Sequence, residues 1–377
     1  DQPRLINTMH RLRQHRPDYV VLVGCEEILL PSVMMGASGG TIVWQWHAWD
    51  HLIQDFSASA NNYGVVGNHP ELIDLNYPPG VGGGGGGPGG GQNGTDWLHL
   101  NSVDYNAELD QIMVSVHNTD EIWVIDHSTT MAEAAGHTGG NSGKGGDLLY
   151  RWGNPAAYDQ GTTAGQVFYG QHDAQWIGDG LPGAGDILVF NNGLGAPGPS
   201  SSSVDQITPP IDGSGHYFYF PGSSYAPSGL TWQYEASNPT TFYSQNISGC
   251  QRLPNGNTLL LFAEEMTAEQ AQQAQGGFVA PGGQQQMLGD VVREGAYDGT
   301  TLYEWHSVAH LNNDEDVICP LEGRDSRSGA NDLTALEDGS FLISFRILDT
   351  VAHVGSGGGP FLWKWGRGEI SRQHHPT

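Results

Sequence analysis

The sequence predicts an all-β protein, a β-propeller of four-stranded blades, on three observations: its composition, a recurring aromatic strand and a recurring hairpin. Among the 377 residues, 56 are glycine and only 15% are charged. This composition favours many short strands and turns over helices. The repeat predicts a single domain over residues 1–377 with six blades, five of them visible in the sequence and a sixth assembled from the two chain ends.

Aromatic strands recur along the chain, and each is predicted to be the outer strand of its blade. They are TIVWQW ending at Trp46, LLYRW ending at Trp152, LTWQY ending at Tyr234, TLYEW ending at Trp305 and FLWKW ending at Trp365. After each of the first four comes a variable loop and then a hairpin whose turn is marked by Asp, Asn or Gly. An open β-solenoid and a pair of sandwiches are the alternatives to the propeller.

The first hairpin carries a histidine at each open end. Period-2 alternation marks its first half over residues 101–105, and turn-forming residues follow at 106–110. Folding the segment about Glu108 places His99 opposite His117, because opposed residues in a hairpin sit about 5 Å apart in a register that the turn sets.

The same folding rule gives pairs that are mostly polar at the open ends of the other hairpins. The predicted pairs are His172 with Asn191, Ser248 with Ala263 and Asn331 with Arg346. Because the innermost strands of a propeller line its central channel, these positions predict a polar ring around the mouth of that channel.

This ring suits an anionic substrate. His99, His117, His172 and Arg346 would converge there, and no acidic residue occupies the ring positions. Arginine supplies a fixed fork of donors, a protonated histidine donates, and a neutral histidine attacks as a nucleophile. Phosphoryl or sulfuryl transfer fits this set. Two alternatives stay open: histidines that bind Zn²⁺ or another transition metal for hydrolysis, and hydrated side chains without a role.

Charge and hydropathy exclude several partners. Asp and Glu outnumber Lys and Arg by 41 to 14, and the net charge of −27 repels nucleic acid and anionic membranes alike. No apolar run reaches the roughly 18 residues that a membrane span needs. The three cysteines, Cys25, Cys250 and Cys319, have no zinc-type spacing. We therefore expect no nucleic acid, no membrane span and no metal or other cofactor.

Two segments before the first hairpin need their own interpretation. The run VGGGGGGPGGG at 81–91 predicts a flexible loop over residues 78–94, and it is no phosphate loop because no Gly-Lys-Ser/Thr follows. His47 and His51 lie four residues apart in WHAWDHL. That spacing fits either a metal pair on one helical face or two exposed imidazoles.

Four segments together resemble the bacterial arylsulfotransferase family. They are DWLHLNSVDYNAELDQIMVSVHNTDEIWVIDHSTT, LLYRWGNP, GQHDAQWI and SGCQRLPNGNTLL, with the most specific likeness over residues 96–193. The resemblance implies a six-bladed propeller that moves a sulfuryl group from a phenolic sulfate ester to another phenol. The family uses no nucleotide donor and works through a sulfated histidine, usually after export to the periplasm. We therefore expect small aryl sulfates and phenols as substrates and a periplasmic or extracellular location.

The resemblance also implies roles for individual residues. His172 in GQHDAQWI would be the nucleophile, and His99 in DWLHLN would bind the sulfate oxygens or assist the leaving phenolate. His51 in WDHL would be a third member. The predicted catalytic residues are His172, His99 and His117. The predicted substrate-binding residues are His51, Asn101, Asn191 and Arg346.

This chain departs from the family at the end of the first hairpin. Ser115-Val116-His117 stands where the family carries an arginine in an S-x-R pattern, and histidine is charged only in part near neutral pH. We also expect the family's separate N-terminal β domain to be missing. A non-catalytic propeller that binds partners or assembles with copies of itself is the alternative function, so a homo-oligomer belongs among the expectations.

Overall fold

Four sheets make up most of the regular structure of this protein. The computed structural model describes residues 42–78, 97–236, 238, 241–265, 288–311, 330–345 and 348–366. Within these ranges the chain forms four-stranded antiparallel sheets arranged as a β-propeller, with little helix. The predicted fold class is confirmed. The described residues show four blades, and the number six stays a prediction.

The first sheet follows a short two-stranded pair. The pair is parallel and joins β1 (Leu52–Ile53) to β2 (Ile73–Asp74). The first sheet is antiparallel and contains, in spatial order, β3 (Leu100–Asn106), β4 (Gln111–Val116), β5 (Glu121–Asp126) and β6 (Tyr150–Trp152).

The other three sheets repeat this order of hairpin, third strand and outer strand. The second contains β7 (His172–Trp176), β8 (Ile187–Asn191), β9 (Ser203–Ile207) and β10 (Trp232–Tyr234). The third contains β11 (Gly249–Arg252), β12 (Thr258–Glu265), β13 (Leu288–Gly295) and β14 (Thr301–His306). The fourth contains β15 (Ala330–Ala335), β16 (Phe341–Phe345), β17 (Thr350–Val354) and β18 (Phe361–Trp365).

In the part of the chain that the structure describes, helical structure consists of single turns before or between the strands. One α-helical turn covers Met131–Ala134. The 3-10 turns are Ala48–His51, Val66–Asn68, His117–Thr119, Pro155–Tyr158, Thr163–Gly165 and Ser307–Ala309. No helix in the described ranges has the length and apolar character to cross a bilayer.

The aromatic strands behave as predicted in four sheets, where β6, β10, β14 and β18 are the edge strands. The prediction is wrong for TIVWQW, because residues 42–47 form no strand. The indole of Trp44 donates to Thr129 Oγ1 at 3.1 Å, and that of Trp46 donates to the Gly146 carbonyl at 2.7 Å. These indoles therefore bind the loop that connects β5 to β6.

The chain divides into two compact units, which we describe separately. The first comprises residues 3–176 and 207–231, and the second comprises residues 177–206 and 232–377. The first has an apolar core around Trp123, and the second has two apolar clusters, around Phe345 and around Phe242. The single propeller domain over 1–377 stays a prediction.

A buried ion pair ties the first sheet to the segment before it. Arg151 on β6 donates through Nε and Nη2 to the two carboxylate oxygens of Glu121 on β5, at 2.7 and 2.6 Å. Both side chains are buried, and Arg151 Nη1 also donates to the Leu72 carbonyl at 2.9 Å. Burial raises the pKa of Glu121, and the guanidinium opposes that rise. The pair thus fixes residues 70–72 against the sheet.

The hairpin registers agree with prediction in the first hairpin and differ in two others. Leu100 pairs with Val116, and the His117 N–H donates to the His99 carbonyl at 3.1 Å, so the two histidines are neighbours as predicted. A bulge between Leu100 and Ser102 leaves Asn101 as an extra residue. This bulge shifts the register by one residue at the open end of the hairpin.

The predicted pairing of Ser248 with Ala263 is wrong by one residue, because Gly249 pairs with Leu261. A tight turn over 253–257, with Gly256 at φ 86°, sets this register. In the fourth hairpin Ala330 pairs with Phe345, and a bulge follows. Leu333 pairs with Ile343, one residue away from the predicted register, and the predicted partner of Asn331, Arg346, lies outside the described residues. The predicted flexible loop over 78–94 also lies outside the described residues, apart from Pro78.

Candidate functional site

Three imidazoles meet in the first compact unit. The ring centroids of His99 and His117 are 5.2 Å apart at an interplanar angle of 70°. Those of His117 and His172 are 5.5 Å apart at 76°. His117 and His172 are buried, with 7% and 6% of their surface exposed. We call these three residues the histidine cluster, with His117 at its centre.

Strand ends place all three rings. His99 lies directly before β3, His117 opens the 3-10 turn after β4, and His172 is the first residue of β7, which packs against both strands. His99 has a left-handed backbone, with φ at 51°. In the second hairpin the left-handed residue is Asp173, at φ 60°, so His99 and His172 occupy backbone positions offset by one residue.

Hydrogen bonds define which ring nitrogen carries the proton. His172 Nδ1 lies 3.0 Å from the Gly170 carbonyl, which only accepts, so Nδ1 is the N–H. His117 Nδ1 lies 2.8 Å from Asn118 Oδ1, and the amide orientation is fixed because Asn118 Nδ2 donates to the Trp97 carbonyl at 3.2 Å. In the neutral form, therefore, both rings carry their lone pair on Nε2.

Amide side chains connect the first hairpin to the segment before β7. Asn101 Nδ2 donates to the Gln171 carbonyl at 2.7 Å. Gln171 Nε2 donates to the Val116 and Glu121 carbonyls at 3.1 and 2.8 Å. Asn101 Oδ1 and Gln171 Oε1 are buried without a hydrogen-bond partner among the described residues. Buried acceptors of this kind are rare and are usually completed by water or a ligand.

Asp120 binds Gly170, the residue that orients His172. Its Oδ1 accepts from the Gly170 N–H at 2.6 Å, and its Oδ2 accepts from Gln166 Nε2 at 2.8 Å. Burial is the main reason that the pKa of Asp120 rises to about 7, with the neighbouring Glu121 raising it further and both hydrogen bonds opposing. Asp120 thus acts on the nucleophile candidate through one residue, Gly170, whose N–H it binds and whose carbonyl contacts His172 Nδ1.

His51 belongs to a second cluster. Its Nδ1 lies 2.8 Å from Asp147 Oδ1, and its Nε2 lies 2.9 Å from the Ala134 carbonyl. The ring stacks on Trp46 at 5.5 Å and meets the edge of His137 at 5.8 Å. Both ring nitrogens thus face protein groups, and the substrate-binding role of His51 stays a prediction.

His47 is not part of that cluster. It lies on the partly exposed surface, 3.5 Å from Asp50, and stacks on Trp49. The residues that could share a metal ion with His51 are His137 and Asp147. The four-residue spacing allowed His47 and His51 to bind one metal ion together. In the structure, the possible metal ligands beside His51 come instead from the β5–β6 loop.

Asn191 lies in the second unit, and Arg346 lies outside the described residues. Asn191 ends β8 in the second unit, where its Nδ2 donates to Asp205 Oδ2 at 2.9 Å. Burial raises the pKa of Asp205 to about 6. The substrate-binding roles of Asn191 and Arg346 stay predictions.

Sequence reasoning missed the residues that support the rings. Gln171 directly precedes His172, and this proximity was its only signal. Asp120 lies in a turn, and nothing in its neighbourhood distinguishes it from other turn aspartates. His137 and Asp147 are ten positions apart in an irregular glycine-rich loop, for which no periodicity predicts a contact.

Solved structures that resemble this chain are distant. A Bacteroides caccae protein of unknown function is 12% identical with a TM-score of 0.35, and the match covers 72% of this chain and 62% of that one. Virginiamycin B lyase from Staphylococcus aureus is 11% identical with a TM-score of 0.32, covering 72% and 70%. Hydrazine synthase from Kuenenia stuttgartiensis is 11% identical with a TM-score of 0.36, covering 68% and 52%. The matched region is thus less than two thirds of the first and third of these proteins.

No curated protein matches this chain at a significant level. The sequence profile described as Arylsulfotransferase (ASST) matches residues 32–303, which is more than half of the 377 residues and includes the whole histidine cluster. This chain therefore belongs to the arylsulfotransferase family.

Proposed function

We propose that the protein transfers a sulfuryl group from a phenolic sulfate ester to a phenol through a sulfated His172. The observation that supports this most directly is the hydrogen bond from His172 Nδ1 to the Gly170 carbonyl at 3.0 Å. It keeps the proton on Nδ1 and the lone pair on Nε2, beside two further imidazoles. A histidine nucleophile needs this neutral, oriented form.

The first half-reaction breaks the ester. His172 Nε2 attacks sulfur, the N–S bond forms, and the S–O bond to the aryl group breaks. The leaving phenolate takes a proton from the imidazolium of His117 or His99, whose rings lie next to each other. A positioned acid of this kind contributes about 10²–10⁴-fold to such a step. The product is a free phenol and an N-sulfated His172.

The second half-reaction restores the enzyme. The acceptor phenol gives its proton to the imidazole that acted as the acid, and its oxygen attacks sulfur. The N–S bond breaks and a new aryl sulfate leaves. Charge and protons balance over the cycle, because one phenol is released for each phenol consumed. No nucleotide or redox partner takes part.

The buried amide oxygens of Asn101 and Gln171 support a hydroxylic substrate. Both accept hydrogen bonds only, and neither has a partner among the described residues. A phenolic O–H or a bridging water would complete them. We propose small aryl sulfates and phenols as the substrates, and a periplasmic or extracellular location, in keeping with the family. Fractionation of the source cells would test the location.

A chromogenic aryl sulfate tests the reaction. With 4-nitrophenyl sulfate alone, we expect a burst of about one nitrophenolate per chain, and with added phenol continuous turnover. Mass spectrometry of a chymotryptic digest kept near pH 8 should find a sulfuryl group on His172 that acid treatment removes. His172→Gln should abolish the burst and the adduct, whereas His69→Gln, which changes an exposed histidine paired with Glu71, should retain both. Turnover without a sulfated His172 would contradict the proposal.

A further inference from the structure

We propose that His51, His137 and Asp147 form a binding site for a divalent transition-metal ion, with zinc as the best fit. Their ligand atoms all lie within 4.8 Å of one another in the first compact unit. Two imidazole nitrogens and one carboxylate oxygen are ligands that Zn²⁺ prefers, and three protein ligands leave a position for water. The site is independent of the proposed sulfuryl transfer.

The hydrogen bonds of His51 carry the argument. Its Nε2 lies 2.9 Å from the Ala134 carbonyl, which only accepts, so Nε2 is the N–H. In the neutral ring, Nδ1 then bears a lone pair, yet it lies 2.8 Å from Asp147 Oδ1. Two acceptors at this distance need a cation between them, either an additional proton or a metal ion.

His137 favours the metal ion over the proton. Its Nδ1 also lies 2.8 Å from Asp147 Oδ1, so both imidazoles approach the same carboxylate oxygen. Two separate ion pairs would be free to use both oxygens of Asp147. Asp147 thus contacts both imidazoles through one oxygen, and the three ligand atoms lie close enough together to share one ion.

The support around His51 is that of a metal ligand. Histidines that bind metals commonly donate their other N–H to a backbone carbonyl, as His51 does to Ala134. The ring also stacks on Trp46 at an interplanar angle of 3°. At Gly146, a Cβ would lie 2.6 Å from His51 Nε2, so the close approach of this loop to the ring requires glycine.

The loop from β5 to β6 delivers the other two ligands. Its backbone closes on itself, because the Gly146 N–H donates to the Gly136 carbonyl at 3.0 Å. This contact brings His137 and Asp147, each next to one of these glycines, into proximity. Asp147 is buried with 6% of its surface exposed, whereas the His137 side chain is 59% exposed. An ion at this point would be reachable from solvent past His137.

Zinc binding tests the proposal. Protein without a histidine tag is stripped with EDTA, dialysed against micromolar Zn²⁺ and measured for bound metal by mass spectrometry, with Mg²⁺ and Ca²⁺ as further probes. We expect the wild type to bind one more Zn²⁺ per chain than His137→Gln. Zinc should also raise the unfolding temperature of the wild type but not that of His137→Gln. Mg²⁺ and Ca²⁺ should produce neither effect.

His137→Gln is the decisive variant, because its exposed side chain can be changed without disturbing the core. The matched control is His69→Gln, whose side chain is 48% exposed, and it should bind zinc as the wild type does. Equal zinc in the wild type and His137→Gln would overturn the site and assign the His51–Asp147 contact to a proton. An equal loss in His69→Gln would also overturn it, as nonspecific surface binding.

Discussion

His117 is the residue at which this chain departs from its family, and its charge should govern substrate binding. His117 lies between His99 and His172 in the histidine cluster, so its cation would attract a sulfate ester. An arginine at this position would hold the anion more strongly, because its guanidinium is always charged and offers a planar fork of donors.

We predict that His117→Arg lowers KM for an aryl sulfate at pH 8 by about tenfold, because a guanidinium keeps its charge at every accessible pH. His117→Gln, which is neutral at every pH, serves as the control and should have a higher KM than His117→Arg. A KM of His117→Arg equal to or above that of the wild type would contradict the prediction.

Asp120 should act as a positioning residue for His172. Its carboxylate holds the Gly170 N–H at 2.6 Å, and the Gly170 carbonyl orients the imidazole. We predict that Asp120→Ala lowers kcat by up to about a hundredfold with little change of KM. Asp120→Asn, which keeps an acceptor oxygen, should restore most of the rate. Equal loss in both variants would contradict a role through this hydrogen bond.

The pKa of Asp120 also makes stability depend on pH. Because burial raises this pKa to about 7, the folded protein holds a proton that the unfolded chain, with its ordinary pKa of 3.8, releases earlier. The contribution of this carboxyl to the free energy of unfolding should therefore be full below pH 4 and be lost as the pH rises towards 7. Asp120→Asn should remove this trend relative to the wild type in urea unfolding.

At the scale of elements, the edge strands and hairpins show what a sequence can predict. β6, β10, β14 and β18 were predictable because their aromatic residues recur at a fixed place in each repeat. TIVWQW has a similar pattern of aromatic and apolar residues, but its indoles donate hydrogen bonds to the β5–β6 loop. A pattern of residue types does not show whether a neighbouring strand is present to pair with the segment.

The registers show the same limit. His99 and His117 are neighbours because the bulge at Asn101 shifts by one residue the register that the turn sets. The third and fourth hairpins differ from prediction because of a tight turn at Gly256 and a bulge after Ala330. Bulges and turn lengths depend on local backbone geometry, so a fold-over rule misses them by a residue. The proximity of the three histidines in the cluster could be predicted from the sequence. The contact of His137 with Asp147 could not.

The Glu121–Arg151 pair should determine how firmly the first sheet holds its neighbouring segment. Removing one partner of a buried pair leaves an uncompensated charge, which costs about 3–5 kcal/mol. We predict a loss of that order in the free energy of unfolding for Glu121→Gln. The control is Glu304→Gln, because the Glu304 side chain of the Arg293–Glu304 pair is 33% exposed, so its removal should cost less than that of the fully buried Glu121. Similar losses in both variants would contradict this prediction.

At the scale of the whole molecule, charge and exposed aromatic residues oppose each other. The net charge of −27 favours separate molecules in low salt. On the edge strand β18, Leu362, Trp363 and Trp365 have 61%, 45% and 55% of their surface exposed. An exposed apolar edge strand is a template for pairing with another chain. This feature supports the alternative of a self-assembling propeller.

We predict that 1 M salt, where the Debye length falls to about 3 Å, drives association of the wild type through this strand. Multi-angle light scattering should show a monomer at low salt and larger species at high salt, and Trp365→Glu should remain monomeric under both conditions. A wild type that is monomeric at every ionic strength, or a variant that still associates, would count against assembly through β18.

Asn101 is an additional link that the pairing of β3 with β4 does not require. Leu100 already pairs with Val116 and Ser102 with Ser115, so the pairing partners on either side stay matched without it. What it supplies is a side chain that ties the hairpin to the Gln171 carbonyl, next to His172. Deleting Asn101 should therefore leave His99 beside His117 and remove one link between the hairpin and the segment before β7, while the bonds from Gln171 Nε2 to the Val116 and Glu121 carbonyls remain.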